Sequence, residues 1–330
     1  MGLFGITLGI AAIIGQVLGG YLSDTHWAIA GWRLIFFINL PIGMVTLWAT
    51  HRYVTETKGN HGSKFDYVGV LILTLALVCL IYPLTQGREA GWPWWSILMI
   101  ILSLVLFVYF MYDQKKKLLT NKNPLIDVRL FEIKDFNIGL IAVLFHFMLH
   151  TSYLLLSAVY LQNGLKISAL LSGLYFIFPG ILFIFSSLIA SKLIVRFGKK
   201  VLQVGVILLA ISFLLQVQLW KPGVDRWIII VLMGVWGLGN GLVLPSLLNI
   251  VLKSVPAEHA GAAAGIYSTF QQTASALGIS IIGGIFFYFS QESWQTAYKA
   301  GVIAILICVL LVGIMLYILP EEKGVEQKQK

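Results

Sequence analysis

Ten separate stretches of this chain are apolar for long enough to cross a bilayer, and this limits its fold more than any other feature. A helix needs about 20 apolar residues to traverse the hydrocarbon core. The runs fall at residues 2–22, 34–50, 67–86, 94–112, 136–161, 168–194, 201–220, 227–252, 261–289 and 298–319. In lipid a backbone must satisfy its hydrogen bonds internally, so runs of this length predict helices. The expected class is an all-α polytopic membrane protein of about ten transmembrane helices. Composition agrees: 58% of residues are hydrophobic and 11% are charged, where a soluble domain carries roughly 25% charged residues. Too few polar groups exist to cover a water-facing surface of this size.

The net charge of +9 does not indicate a nucleic-acid partner, because the basic residues sit in short loops between the spans. An even number of spans puts both termini on one side. With that side cytoplasmic, the inside loops carry Arg52, Lys58 and Lys64, then Lys115, Lys116, Lys117, Lys122, Arg129 and Lys134, then Lys192, Arg196, Lys199 and Lys200, then Lys253, and finally Lys323, Lys328 and Lys330. Only Arg33, Arg88, Lys166, Lys221, Arg226 and Lys299 fall outside, six of the 23. Positive-inside loops therefore predict cytoplasmic termini. Trp27, Trp32, Trp92, Trp94, Trp95, Trp220, Trp227 and Trp294 all lie at predicted outer ends, where an indole suits the headgroup level. The longest inside loop, residues 113–135, has an amphipathic second half at 124–131. It either lies along the membrane surface or forms a solvated linker.

Cys79 and Cys308 lie deep in predicted spans, where they read as apolar filler. No metal-ligand spacing, cofactor motif, nucleotide-binding loop or filter-like channel loop is visible, so the expectation is a protein that is not an enzyme and holds neither metal nor cofactor. The first run has no basic stretch ahead of it and is expected to be a span and not a cleavable leader.

Polar residues inside spans are the functional candidates, since ionisable groups at that depth are costly and usually face a cavity or the bundle interior. His146, His150, Tyr153 and Ser157 are spaced by four, three and four, which places them on one helix face. The two imidazoles either exchange a proton near neutral pH or stay neutral and tie helices together. Ser268, Gln271, Gln272 and Ser275 form a similar stripe, with amides for a substrate or for a neighbouring helix. The eighth run holds Gly234, Gly237, Gly239, Asn240, Gly241 and Pro245, a density that suits a bendable or closely packed helix. All 14 carboxylates lie at span ends or in loops; Asp24, Asp66 and Asp113 read as interfacial residues that bond loops.

The first run contains Gly5, Gly9 and Gly15-Gln16-Val17-Leu18-Gly19-Gly20, then Tyr21-Leu22-Ser23-Asp24. It is followed by Trp32-Arg33-Leu34-Ile35-Phe36-Phe37-Ile38-Asn39-Leu40-Pro41-Ile42-Gly43. Small residues at this spacing let two helices approach closely. The stretch at residues 15–43 resembles the fifth and sixth spans of the fourteen-span drug:proton antiporters of the major facilitator superfamily. Phe65-Asp66-Tyr67-Val68-Gly69, Tyr160-Leu161-Gln162, Arg196-Phe197-Gly198-Lys199-Lys200 and Gly261-Ala262-Ala263-Ala264-Gly265 are similar to later segments of that family, in order along the chain. Gln16 departs from the pattern, standing where the family's antiporter motif has a proline that would bend the helix.

The resemblance implies a multidrug-efflux transporter in a bacterial inner membrane, exporting amphipathic or cationic compounds in exchange for protons by alternating access. Its partners would be the lipid bilayer and a small organic substrate. Residues 1–52 would be the last two helices of an amino-terminal bundle, 53–135 a central pair with a cytoplasmic linker, and 136–330 a complete carboxy-terminal six-helix bundle. His146, His150, Tyr153, Asn240, Gln271 and Gln272 would line the substrate and proton pathway, while Gly15, Gln16, Gly19 and Gly20 would serve helix packing. Relative to the family the first four spans are absent. The alternative is a truncated, non-autonomous fragment that is inactive or needs a partner chain supplying four helices.

Overall fold

A computed structural model describes residues 2–24, 31–54, 65–87, 90–120, 122–256 and 259–320. Trp27, Lys58, Lys64, Arg88, Lys323, Lys328 and Lys330 lie outside the described residues, as do the side chains of Asp24 and Trp32. The described residues form twelve α-helices and no strand: α1 (Gly2–Asp24), α2 (Gly31–Phe37), α3 (Asn39–Tyr53), α4 (Tyr67–Gln86), α5 (Trp94–Leu119), α6 (Lys134–Val159), α7 (Ala169–Tyr175), α8 (Ile177–Phe197), α9 (Lys200–Leu219), α10 (Arg226–Lys253), α11 (Ala260–Phe289) and α12 (Trp294–Ile318). Two pairs, α2 with α3 and α7 with α8, each make one span, so ten candidate spans result. They coincide with the ten apolar runs to within a few residues at most ends, but α5 continues past residue 112 to Leu119, so the first part of the expected loop at 113–135 is helical.

The ends are set by local chemistry. Asp66, Ser168, Asp225 and Ser293 each cap a helix by accepting a hydrogen bond from a backbone N–H of the first turn. The turn between α8 and α9 closes on Gly198, whose φ of 53° favours a residue without a Cβ. Lys199, next in sequence, donates to the carbonyls of Tyr317 and Leu319 and so places a cation at the end of α12.

Helices α6 and α8–α12 pack into one bundle around a shared apolar core. Its tightest seam is α8 against α10. A Cβ on Gly237 would collide with the Pro179 carbonyl oxygen, and one on Gly241 with that of Phe183. The glycines of α10 therefore act as close-packing points, and the helix runs unbroken through Pro245. At one end of the bundle Tyr160, Trp220 and Tyr298 stack. Tyr298 Oη donates to Gln216 Oε1 at 2.6 Å. Trp220 is only 1% exposed, so it belongs to this internal stack and not to the headgroup belt. Trp94 and Trp227 do face outward, at 76% and 72% exposed.

The second half of the linker after α5 is held to the helices and is not a free solvated segment. Leu125 N donates to Asp66 Oδ2 at 3.2 Å and Ile126 N to Gln114 Oε1 at 3.0 Å. A 3₁₀ turn, Val128–Glu132, then buries Leu130 in the bundle core. Helix α4 packs on α5 and on α11. Helix α1 packs along α7 and α8, while no residue of the Arg33–Tyr53 span is buried.

Candidate functional site

The approach of α1 to the bundle leaves a cavity of about 360 Å³ between α1, α6, α8, α10 and α11. The contact that creates it is set by small residues. A Cβ on Gly20 would meet the Ala169 carbonyl oxygen at 2.6 Å, and one on Gly173 would meet that of Gln16 at 2.6 Å. Gly15 and Gly19 have open space where a Cβ would stand, and Gly15 lines the cavity. Gln16 takes part twice, through its backbone against Gly173 and through its place in the cavity lining.

The cavity wall is apolar with a few polar groups, the ordinary make-up of a small-molecule site. Its polar residues are His150, Asn240, Gln271 and Gln16, and its aromatic residues include Phe147, Trp236 and Tyr267. Each polar residue sits well inside its helix, away from both ends, which puts the cavity near mid-membrane. No carboxylate is among the lining residues. Among the described residues no group of three His, Cys, Asp or Glu side chains is placed to hold a metal ion.

One polar contact organises the wall. Asn240 Nδ2 donates to His150 Nδ1 at 2.7 Å, across from α10 to α6. The His150 ring stacks on Trp236 at 5.7 Å and 12°, and lies nearly parallel to His146 at 6.4 Å. His146 is fully buried beside the same asparagine, with neither ring nitrogen in a well-formed hydrogen bond. Tyr153 is also buried, packed on Trp236 at 4.5 Å and on Phe213 at 5.2 Å. Ser157 is turned to its own helix, where its hydroxyl donates to the Tyr153 carbonyl.

The six pathway residues named from the sequence thus separate. His150, Asn240 and Gln271 line the cavity; His146 and Tyr153 stand behind it; Gln272 is exposed and outside the lining. The wall also uses Trp236, Phe147 and Tyr267, which no motif singles out. Aromatic residues are 13% of the chain, so residue type alone carries no signal; position on the inward helix faces is what distinguishes these three.

Residues 67–279 match the model of the Major Facilitator Superfamily, which is more than half of the chain. The chain belongs to the Major Facilitator Superfamily. Several of its relatives are named as drug-efflux or resistance proteins. It is 30% identical over 290 residues to the "Probable actinorhodin transporter" of Streptomyces coelicolor, covering 87% of this chain and 50% of that one. It is 29% identical to the multidrug resistance protein Stp of Mycobacterium tuberculosis, over 85% of this chain and 51% of the relative. To the multidrug export protein EmrB of Haemophilus influenzae it is 28% identical, over 87% and 55%. The chain spans about half the length of these curated relatives. As a superfamily member it is a multi-pass membrane protein, and its cavity lies where α1 meets the bundle of α6 and α8–α12.

Proposed function

We propose that this superfamily chain forms a wall of the translocation pathway of a bacterial inner-membrane exporter of amphipathic or cationic drug-like compounds. The observation that carries this reading is the mid-membrane cavity, in which aromatic faces adjoin His150, Asn240, Gln271 and Gln16. Residues 1–52 belong to an amino-terminal bundle, 53–135 to a central pair with its linker, and 136–330 to a carboxy-terminal bundle. Transport proceeds by alternating access, with α1 and the carboxy-terminal bundle moving against each other about the cavity. Protons drive export, and His150 with His146 behind it carries the proton. Both termini are cytoplasmic, a reading that the loop charges support.

The test is drug efflux from cells and proton flux in everted vesicles. His146→Ala and His150→Ala are expected to abolish proton-driven export. A variant pair that kept the parent rate and pH profile would remove the histidines from the mechanism.

A second reading is favoured by α3. Its whole span is without a buried residue, which suits a helix that packs against further helices in the working transporter. In that reading the 330 residues do not transport alone, and helices placed against α3 restore export. Efflux by the chain as sole polypeptide would exclude this.

A further inference from the structure

The bond from Asn240 to His150 has a consequence for where a proton can go. An amide nitrogen only donates, so His150 Nδ1 must accept. The single proton of the neutral ring then resides on Nε2, and the lone pair of Nδ1 is the ring's one basic site. Asn240 Nδ2 covers that site. The other end of the same amide, Oδ1, is buried beside His146 and is in no well-formed hydrogen bond. A protonated His150 has two N–H donors and no acceptor, so it cannot keep the bond as it stands.

We infer that Asn240 is a positioning residue that gates protonation of His150 by turning over its side-chain amide. In one orientation Nδ2 donates to Nδ1 and holds the ring neutral. In the other, a proton has entered at Nδ1, and the new Nδ1–H donates to Oδ1. The same rotation carries Nδ2 off His150, and His146, beside this amide with both ring nitrogens free of well-formed hydrogen bonds, can accept from it. The proton arrives from water in the cavity and leaves by the reverse path, so charge and hydrogen count balance. The groups facing His150 are His146 and Phe147 from α6, Trp236 and Asn240 from α10, Tyr267 and Gln271 from α11 and Gln16 from α1. Of these only His146 and Tyr267 titrate, and none is a carboxylate, so no fixed negative charge holds the proton in place of the amide.

This inference rests on the reading of the cavity as the proton pathway, but its test does not use transport. The full chain, ¹⁵N-labelled at its six histidines, is placed in lipid nanodiscs and the imidazole nitrogen shifts are followed with pH. His150→Gln identifies the His150 signals. At alkaline pH His150 is expected as the Nε2–H tautomer with a bare, hydrogen-bonded Nδ1; an Nδ1–H tautomer would overturn the proposal. Asn240→Leu removes both ends of the amide and is expected to leave a mixture of tautomers, so a ring that stays wholly Nε2–H would also overturn it. Asn240→Asp puts an acceptor at Nδ1 and is expected to raise the His150 midpoint by about 1 pH unit or more; an unchanged midpoint counts against the gate. Loss of export in the histidine variants with the tautomer as expected in the parent supports both proposals. The expected tautomer with full export in those variants sinks the function alone.

Discussion

Among single residues, Asp66 shows how a carboxylate at a span end is used. Its side chain is 5% exposed. Burial by itself would raise its pKa, but hydrogen bonds from Gln114, Lys117 and the Gly69 amide outweigh that and lower it from 3.8 to about 2. A depressed carboxylate contributes stability that is full above the unfolded pKa and lost as pH falls through the folded one. The contribution, about 2 kcal/mol, is therefore constant from about pH 5 upward and fades between roughly pH 4 and 2. Asp66→Asn is expected to release the linker, with amide exchange at Leu125 and Ile126 faster by on the order of tenfold at neutral pH. Unchanged exchange would show that Gln114 and Leu130 hold the linker without it. Asp127 is handled alike: Arg129 pairs with it and, against the cost of burial, lowers its pKa. The sequence places these carboxylates at span ends but does not reveal their partners, because Asp66 and Gln114 are 48 residues apart.

Between helices, the glycines of α1 separate into two kinds. Gly20 is pressed against the α7 backbone, as Gly173 is against that of α1, whereas Gly15 and Gly19 border open space. Gly173→Ala and Gly20→Ala are expected to force α1 away at about 1–3 kcal/mol, seen as a lower melting temperature in detergent. Gly15→Ala and Gly19→Ala should leave the melting temperature within the scatter of the parent. Equal effects at all four positions would contradict this division. Spacing of small residues is legible in the sequence, but which of them meets a backbone depends on the rotation of α1 about its axis. The crossing geometry with α7 and α8 sets that rotation, and no local pattern reports it.

For the molecule as a whole, orientation and the state of α3 can be tested directly. Alkaline phosphatase fused in the turn at residues 221–224 is expected to be active, and a fluorescent protein fused after residue 320 to glow in the cytoplasm. The reverse pattern would invert the topology drawn from the loop charges. On α3, Leu47 and Trp48 are 74% and 62% exposed. Leu47→Ala and Trp48→Ala should therefore leave the melting temperature of the purified chain unchanged. A clear loss of stability would mean that α3 is packed against something in the preparation.

The number, length and helical nature of the spans, and the sign of the loop bias, are legible in the amino-acid order alone, because hydrophobicity and charge act through neighbours along the chain. The same order puts His150, Asn240 and Gln271 at membrane depth, since a polar residue there stands out against an apolar background. That these three face one cavity, while His146 and Tyr153 lie behind it and Gln272 points away, comes from packing. It depends on how α1, α6, α8, α10 and α11 are rotated and brought together. The energies that fix this are many small close-packing contacts, such as those at Gly20, Gly173, Gly237 and Gly241, spread between residues far apart in the chain.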